Sequence, residues 1–286
     1  MARQRVIIGI GEAVLCEYPD RVEPGGLAVL CAMHATRLGH RGVPISRIGQ
    51  DKAADDLTRQ LRERGLNVDH IQSDPDLATG RLIIRTMAGK PRRTLTPRAA
   101  FDNLQWDFDL VDVAQTADGV VFGTLAQREG QSQSIIKRFV AECFNAVRVF
   151  DLTNRASDVI DRAVVRSSME FADLVIADRI ALKALVPGWD TSHPRDAAVE
   201  LLRDTNVATL ITLEPGECSE RMTLHAADQS TAAAQSYPTA QHEAAVIGLL
   251  HGVLNGWEAA RSLALACAVA DHVAKNPNEA LPRELL

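Results

Sequence analysis

Short β-branched runs alternate with helical stretches along the whole of this sequence, and that rhythm limits the folds open to it. Val6 to Gly11 predicts a buried strand and Leu27 to Leu38 a helix. Val43 to Ile48 predicts a second strand, and Lys52 to Arg64 a helix closed by Gly65. Further strands are expected at Gly119 to Gly123, Val147 to Leu152, Leu174 to Ala177 and Thr209 to Leu213, with helical segments between them. Strands interleaved with helices argue for an α/β chain whose mostly parallel sheet is covered on both faces. A chain of 286 residues can build one large domain of this kind or two small ones.

One segment breaks the rhythm. Thr79 to Thr96 holds two alternating runs around Ala88-Gly89-Lys90-Pro91, a hairpin signal. Its flanks carry Arg81, Arg85, Lys90, Arg92, Arg93 and Arg98. Two readings stand: a solvated edge protected by charge, or a lid that meets an anionic substrate. Near the end, Glu243 to Leu254 is apolar almost all round and predicts a buried helix, with Ala259 to Lys275 packed beside it.

Bulk properties exclude several functions. Apolar residues make up 46% and charged residues 24%, an ordinary globular balance. A net charge of −6 gives no reason to expect nucleic acid or an anionic membrane as partner. Val6 to Ile10 is too short to span a bilayer and lacks the features of a signal peptide. Cys16, Cys31, Cys143, Cys218 and Cys267 are odd in number and never form a CxxC pair. They predict free thiols in a reducing cytoplasm, not a disulfide framework or a metal site.

The ordered features resemble the ribokinase/fructokinase (PfkB) family of carbohydrate kinases, its fructokinase-like branch in particular. Gly11-Glu12 closes the first strand, Gly25-Gly26 opens a helix ending Arg37-Leu38-Gly39, and Ser46 to Asp51 is similar to "SRVGDD". Arg64 to Val68 leads to Thr79-Gly80, while Phe122 to Arg128 and Val149 to Arg155 resemble runs of that branch. Ala172 to Val175 and Thr212-Leu213 fall where later strands belong, and Ala244 to Trp257 resembles "AFTAALLHGLLRGW". The resemblance implies a ribokinase-like three-layer α/β/α fold, its mostly parallel sheet carrying a small β lid. One domain over 1–286 is expected, with lid segments near 13–24 and 79–100. It also implies ATP and Mg2+ as cofactors, a sugar as substrate and a homodimer formed through the lid. A carboxylate would take the sugar hydroxyl's proton, and N–H groups at a helix entrance would hold the phosphoryl charge.

The motifs that carry this chemistry are altered. The four "GAGD" positions hold Ala240, Gln241, His242 and Glu243, so both glycines of the anion hole are absent. Keeping the same turn would cost about 1–2 kcal/mol per replacement. Glu243 keeps a carboxylate at the base position, one methylene longer, and equally suits a helix cap. At "NxxE" stand Asp178 to Ala181, and at "TxGxxG" stand Thr212 to Glu217, with Glu214 and Glu217 in place of glycines. Those glutamates would bring negative charge towards a polyphosphate. On the sugar side Cys16 and Leu30 replace an aspartate and an asparagine, and neither can fork onto a polyol. Gly25, Gly26, Gly49, Asp51, Asp151 and Arg155 are retained; Asp51 serves as a helix cap equally well. The expected function is that of a sugar-kinase relative impaired in phosphoryl transfer, with a ligand-binding or regulatory role. The alternative is an active kinase using Glu243 as base.

Overall fold

The computed structural model describes residues 4–87, 90–153, 161–186, 194–205, 207–216, 219–227, 231–277, 279 and 281–282. The chain opens with β1 (Val6–Ile10), β2 (Val14–Glu17), β3 (Val22–Gly25), α1 (Leu27–Arg37) and β4 (Arg41–Ile48). It continues through α2 (Lys52–Glu63), β5 (Ile71–Ser73), β6 (Gly80–Met87), β7 (Lys90–Leu95), α3 (Asp109–Thr116) and β8 (Gly119–Gly123). Then come α4 (Gly130–Glu142), β9 (Val147–Asp151), α5 (Arg162–Met169), β10 (Leu174–Asp178), α6 (Arg179–Leu185) and α7 (Pro194–Asp204). The last stretch is β11 (Thr209–Pro215), β12 (Ser219–Ala226), β13 (Thr231–Pro238), α8 (His242–Leu254) and α9 (Ala259–Lys275).

Two sheets result. The large one has nine strands in the order β13-β12-β11-β10-β9-β8-β1-β4-β5, and the small one runs β3-β2-β6-β7. From β11 to β5 every pairing in the large sheet is parallel; β12 and β13 add an antiparallel hairpin at one edge. The expected hairpin is β6–β7, with Ile84 opposite Arg93. Its turn at Ala88-Gly89 lies outside the described residues.

Alternation along each strand sorts the core into two layers. Ile7, Val121, Val149, Ile176 and Ile211 face one way, packing with Leu27 and Cys31 of α1 and the apolar sides of α8 and α9. Ile8, Ile10, Val120, Phe122, Phe150 and Val175 face the other way, among Ile136, Phe139, Val165, Leu182 and Leu201 from the helices opposite. This is the ribokinase-like three-layer arrangement, with the small sheet as its lid. Helix α8 is buried along nearly its whole length, because its sequence offers no polar face to turn outward.

Helix entrances set the strand ends. Asp51 caps α2 through Ala54 N–H at 2.9 Å, and Asp178 caps α6 through Ala181 N–H at 2.9 Å. At α8 the chain runs from Pro238 through a 3-10 turn, Thr239–Gln241, directly into the helix.

Candidate active site

In an open parallel sheet, ligands collect beyond the carboxyl ends of the strands. Here that rim holds Glu12 after β1, Asp51 after β4, Asp151 at the end of β9 and Asp178 at the end of β10. The α8 entrance and the lid converge on its middle.

The α8 entrance follows a 3-10 turn, and the residues that flank and close that turn have negative φ. Gln241 has φ −118° and ψ 32°, and His242 has φ −55° and ψ −51°, already helical. Successive N–H groups therefore do not form the outward-facing nest that alternating backbone signs produce. Instead the His242 side chain turns inward. Its Nε2 lies 2.8 Å from Asp151 Oδ2 and 3.1 Å from Thr153 Oγ1. On the other side Nδ1 lies 3.0 Å from the Tyr237 hydroxyl, which donates to Glu220 Oε2 at 2.6 Å. Thr153 also donates to Asp151 Oδ1 at 2.6 Å.

The network is closed on one side and open on the other: Tyr237 is 0% exposed and Asp151 1%, whereas the Glu220 side chain is 20% exposed. Burial opposes charge on His242, but Asp151 beside it, helped by Tyr237 and Glu220, holds its pKa well above the ordinary value. Burial likewise pushes Asp151 and Glu220 up, yet their contacts with His242, with Thr153 and with Tyr237 leave both below the usual carboxylate range. Glu243 differs. Burial raises its carboxyl, the charge of His242 offsets this only in part, and the carboxylate accepts from its own main-chain N–H. It folds back on the helix it begins. Among the described residues no group of three or more histidine, cysteine or acidic side chains could hold a metal ion.

The sugar-side positions are occupied by protein. Cys16 is 8% exposed, and its thiol is pushed up to about 12 by burial, with Glu243 adding to the effect. A Cβ on Gly25 would stand 2.3 Å from Cys16 Sγ, so the thiol fills the space that Gly25 leaves. Gly26 has φ +92°, and a Cβ there would stand 2.4 Å from Glu12 O. These glycines meet steric demands of the turn into α1, where Glu12 accepts from Leu27 N–H at 2.7 Å. Leu30, on α1, packs against the cluster of Val29, Ala32 and Leu57.

Asp51 and Gly49 are joined at the lid hinge. Besides capping α2, Asp51 accepts from Thr79 N–H at 2.9 Å and Thr79 Oγ1 at 2.8 Å, while Gly49 N–H donates to Thr79 Oγ1 at 3.0 Å. The other hinge strand is held by Arg128, which forks onto Asp102 at 2.8 and 2.6 Å and donates to Thr96 O at 3.0 Å. Of the basic lid residues, Arg81 pairs with Glu17 and Arg85 donates to the Glu17 carbonyl, whereas Arg93 acts on the Cys16 thiol.

On the nucleotide side, Asp178 and Thr212 sit on neighbouring strands, with Ala177 opposite Thr212. Asp178 caps α6. Thr212 is fully buried, its hydroxyl 3.0 Å from His225 Nε2. Glu214 stands across from Arg221 on β12. Ala240 is exposed and Gln241 half-buried, while Glu217 and Arg155 lie outside the described residues. The sequence offered no sign of Glu220 or Tyr237 as site residues, since β12 and β13 carry no strong strand signal, and Thr153 figures only as part of the Val149 to Arg155 run.

Solved structures with the same fold include a 2-dehydro-3-deoxygluconokinase from Thermotoga maritima, at TM-score 0.78 and 16% identity. The match covers 94% of this chain and 93% of that one. A fructokinase from Xylella fastidiosa with bound ATP matches at 0.75 and 14%, over 93% and 92% of the two chains. A fructokinase from Vibrio cholerae matches at 0.78 and 17%, over 96% and 100%. No curated protein sequence matches the chain at a significant level. The sequence model of the pfkB family of carbohydrate kinases matches residues 20–201, well over half the chain, and the chain belongs to that family.

Proposed function

We propose that this PfkB-family chain keeps its family's architecture but does not transfer phosphate, and serves as a ligand-binding or regulatory member. The observation that carries this reading is the α8 entrance. Pro238, Gln241 and His242 all have negative φ around a 3-10 turn, and the His242 side chain is committed to Asp151 and Tyr237. Removing one donor from an oxyanion site typically costs about 100- to 1,000-fold in rate. Here both glycines that would let such donors converge are absent.

ATP and Mg2+ are the cofactors the family implies, and the residues present do not fit them. The Asp178 carboxylate is used at the α6 cap, Ala181 supplies no metal ligand, and the Thr212 hydroxyl is turned into the core. Glu214 adds a negative charge beside the strand end. The ligand on this reading is a sugar-like small molecule less polar than a simple polyol, met by Arg93 and the other basic side chains of the lid. A homodimer joined through the lid sheet, in a cytoplasm that keeps the four described cysteines free, completes the proposal.

A second reading has one observation in its favour. Glu243 is a buried carboxyl with a raised pKa at the family's base position, which suits a general base. Calorimetric titration with ATP and Mg2+, alone and with fructose or 2-dehydro-3-deoxygluconate, separates the two. No heat from a folded sample is the expected result. Micromolar nucleotide binding, or sugar-dependent ADP release, would overturn the proposal and favour Glu243 as base.

A further inference from the structure

The hydrogens around His242 can be counted. Tyr237 has one hydroxyl hydrogen and directs it at Glu220; Thr153 has one and directs it at Asp151. With both carboxylates ionised, the Tyr237 oxygen can only accept from His242 Nδ1, and Asp151 Oδ2 only from Nε2. A neutral imidazole carries one N–H and would leave one of these contacts between lone pairs. The Tyr237 oxygen and the Asp151 carboxylate are closed to solvent, so water cannot relieve either contact, although Glu220 and His242 keep 20% and 12% of their side chains exposed. The arrangement therefore requires a proton on each ring nitrogen.

The place of this cation matters as much as its charge. His242 begins α8, where the helix dipole disfavours a positive group by some tenths of a kcal/mol or more. Asp151 and Glu220 offset that. Glu220 and Tyr237 belong to the antiparallel hairpin at the sheet edge, whereas Asp151 ends β9, separated from β12 by β10 and β11. The chain leaves the edge at Pro238 and crosses back over the strand ends, and His242 bridges the two regions as it does so.

We propose that His242 is an internal imidazolium latch, clamping the β12–β13 hairpin and the α8 entrance onto the carboxyl end of β9, and that alkaline solution releases it. The groups facing the ring are Asp151 and Thr153 from the end of β9, Glu220 from β12, Tyr237 from β13 and Glu243 from α8. The ionisable ones are all acidic. Because the folded pKa of His242 lies above its unfolded value, the stabilisation is complete below about pH 6.5. It disappears as pH rises through the folded value. The latch stands whether or not nucleotide binds, so its test and the calorimetric one fail separately.

The intact protein, labelled with 15N at histidine, is titrated by NMR from about pH 6 to about pH 10. Exchange of the β12 and β13 amides is followed in parallel and corrected for the intrinsic rate. Two protonated ring nitrogens on His242 at neutral pH are expected, with hairpin protection falling at the midpoint of its titration. His242→Gln should raise hairpin exchange by at least about tenfold at neutral pH, the equivalent of one charge-assisted hydrogen bond, and abolish that midpoint. In His242→Gly, added imidazole should restore protection. A singly protonated ring at neutral pH, or hairpin protection that ignores the titration, would overturn the latch; these readouts need no variant. Wild-type exchange rates in folded His242→Gln would overturn it too.

Discussion

Asp51→Ala distinguishes a residue that holds the lid from one that holds a sugar. In the folded chain Asp51 takes three hydrogen bonds, from Ala54 N–H, Thr79 N–H and the Thr79 hydroxyl, at 2.8 to 2.9 Å. Losing the cap of α2 costs about 1 kcal/mol. Thr79 is 1% exposed, so its N–H would be left without a partner or water, at about 1 to 3 kcal/mol. Its hydroxyl keeps the bond from Gly49 and adds less. Together these give a loss of about 3 kcal/mol. Denaturation in urea at pH 7 measures it as a lower midpoint at unchanged slope. Burial pushes the Asp51 carboxyl up, but the bonds from Thr79 and Ala54 outweigh it and hold the pKa below its ordinary value. The contribution is therefore complete at pH 7 and is lost only as pH falls through that lowered value. A loss under about 1 kcal/mol would refute the hinge argument, because surface substitutions away from structural features stay within about 0.5 kcal/mol.

Three other substitutions or conditions give further checks. Gly26→Ala should destabilise by about 2 kcal/mol or more, since it adds a Cβ at φ +92° against the Glu12 carbonyl; thermal unfolding reads it. Acidification from about pH 7.5 to about pH 5 should cost roughly 2 kcal/mol for each of His34 and His40 by denaturant titration. Burial lowers the first to about 3, and burial with His251 alongside lowers the second to about 4. Both are depressed histidines, so stability is present above about pH 6.5 and is lost as pH falls below it. Glu243→Gln should raise the urea midpoint at about pH 8 and leave it nearly unchanged at about pH 4, below the unfolded value, because burial raises this carboxyl and makes its ionisation unfavourable in the fold.

The fold was legible where pattern and burial agree. Gly119 to Gly123 and Ala259 to Lys275 coincide with β8 and α9, and the other expected strands and helices are recovered within two residues at each end. Elements without a hydrophobic period show no strand pattern of their own, and β3 is expected only through the resemblance, within the lid segment near 13–24. β3 reads Val-Glu-Pro-Gly, and β13 is rich in alanine, so neither carries the β-branched signal of a strand. The site was legible only by position. Missing glycines at 240–243 are visible in any register of the sequence, but the partner of His242 on β12 is not, because the strand that supplies Glu220 was itself unseen. Thr212 shows the opposite error: its sequence place suggested a nucleotide turn, and its hydroxyl points at His225 inside the core.

The two halves of the α8 entrance obey different constraints. A helix entrance that grips phosphate needs backbone freedom, since its N–H groups must face outward, and glycine supplies that freedom at an entropic cost of about 0.5 to 1 kcal/mol per residue. An entrance that binds nothing at its backbone has no such need. Side chains there can restrict the unfolded chain and add contacts of their own. Here His242 does both: it adopts helical backbone angles without strain and carries a cation between the buried Asp151 and the part-buried Glu220. Asp151 in particular would be costly if left unpaired at the buried end of β9. Removal of His242 should therefore harm the fold more than it harms any ligand affinity, which is the reverse of what a group touching substrate would show. Comparing the urea midpoint of His242→Gln with its sugar affinity decides between them. A midpoint within about 0.5 kcal/mol of wild type, the usual range for a surface change, would return this position to the binding site.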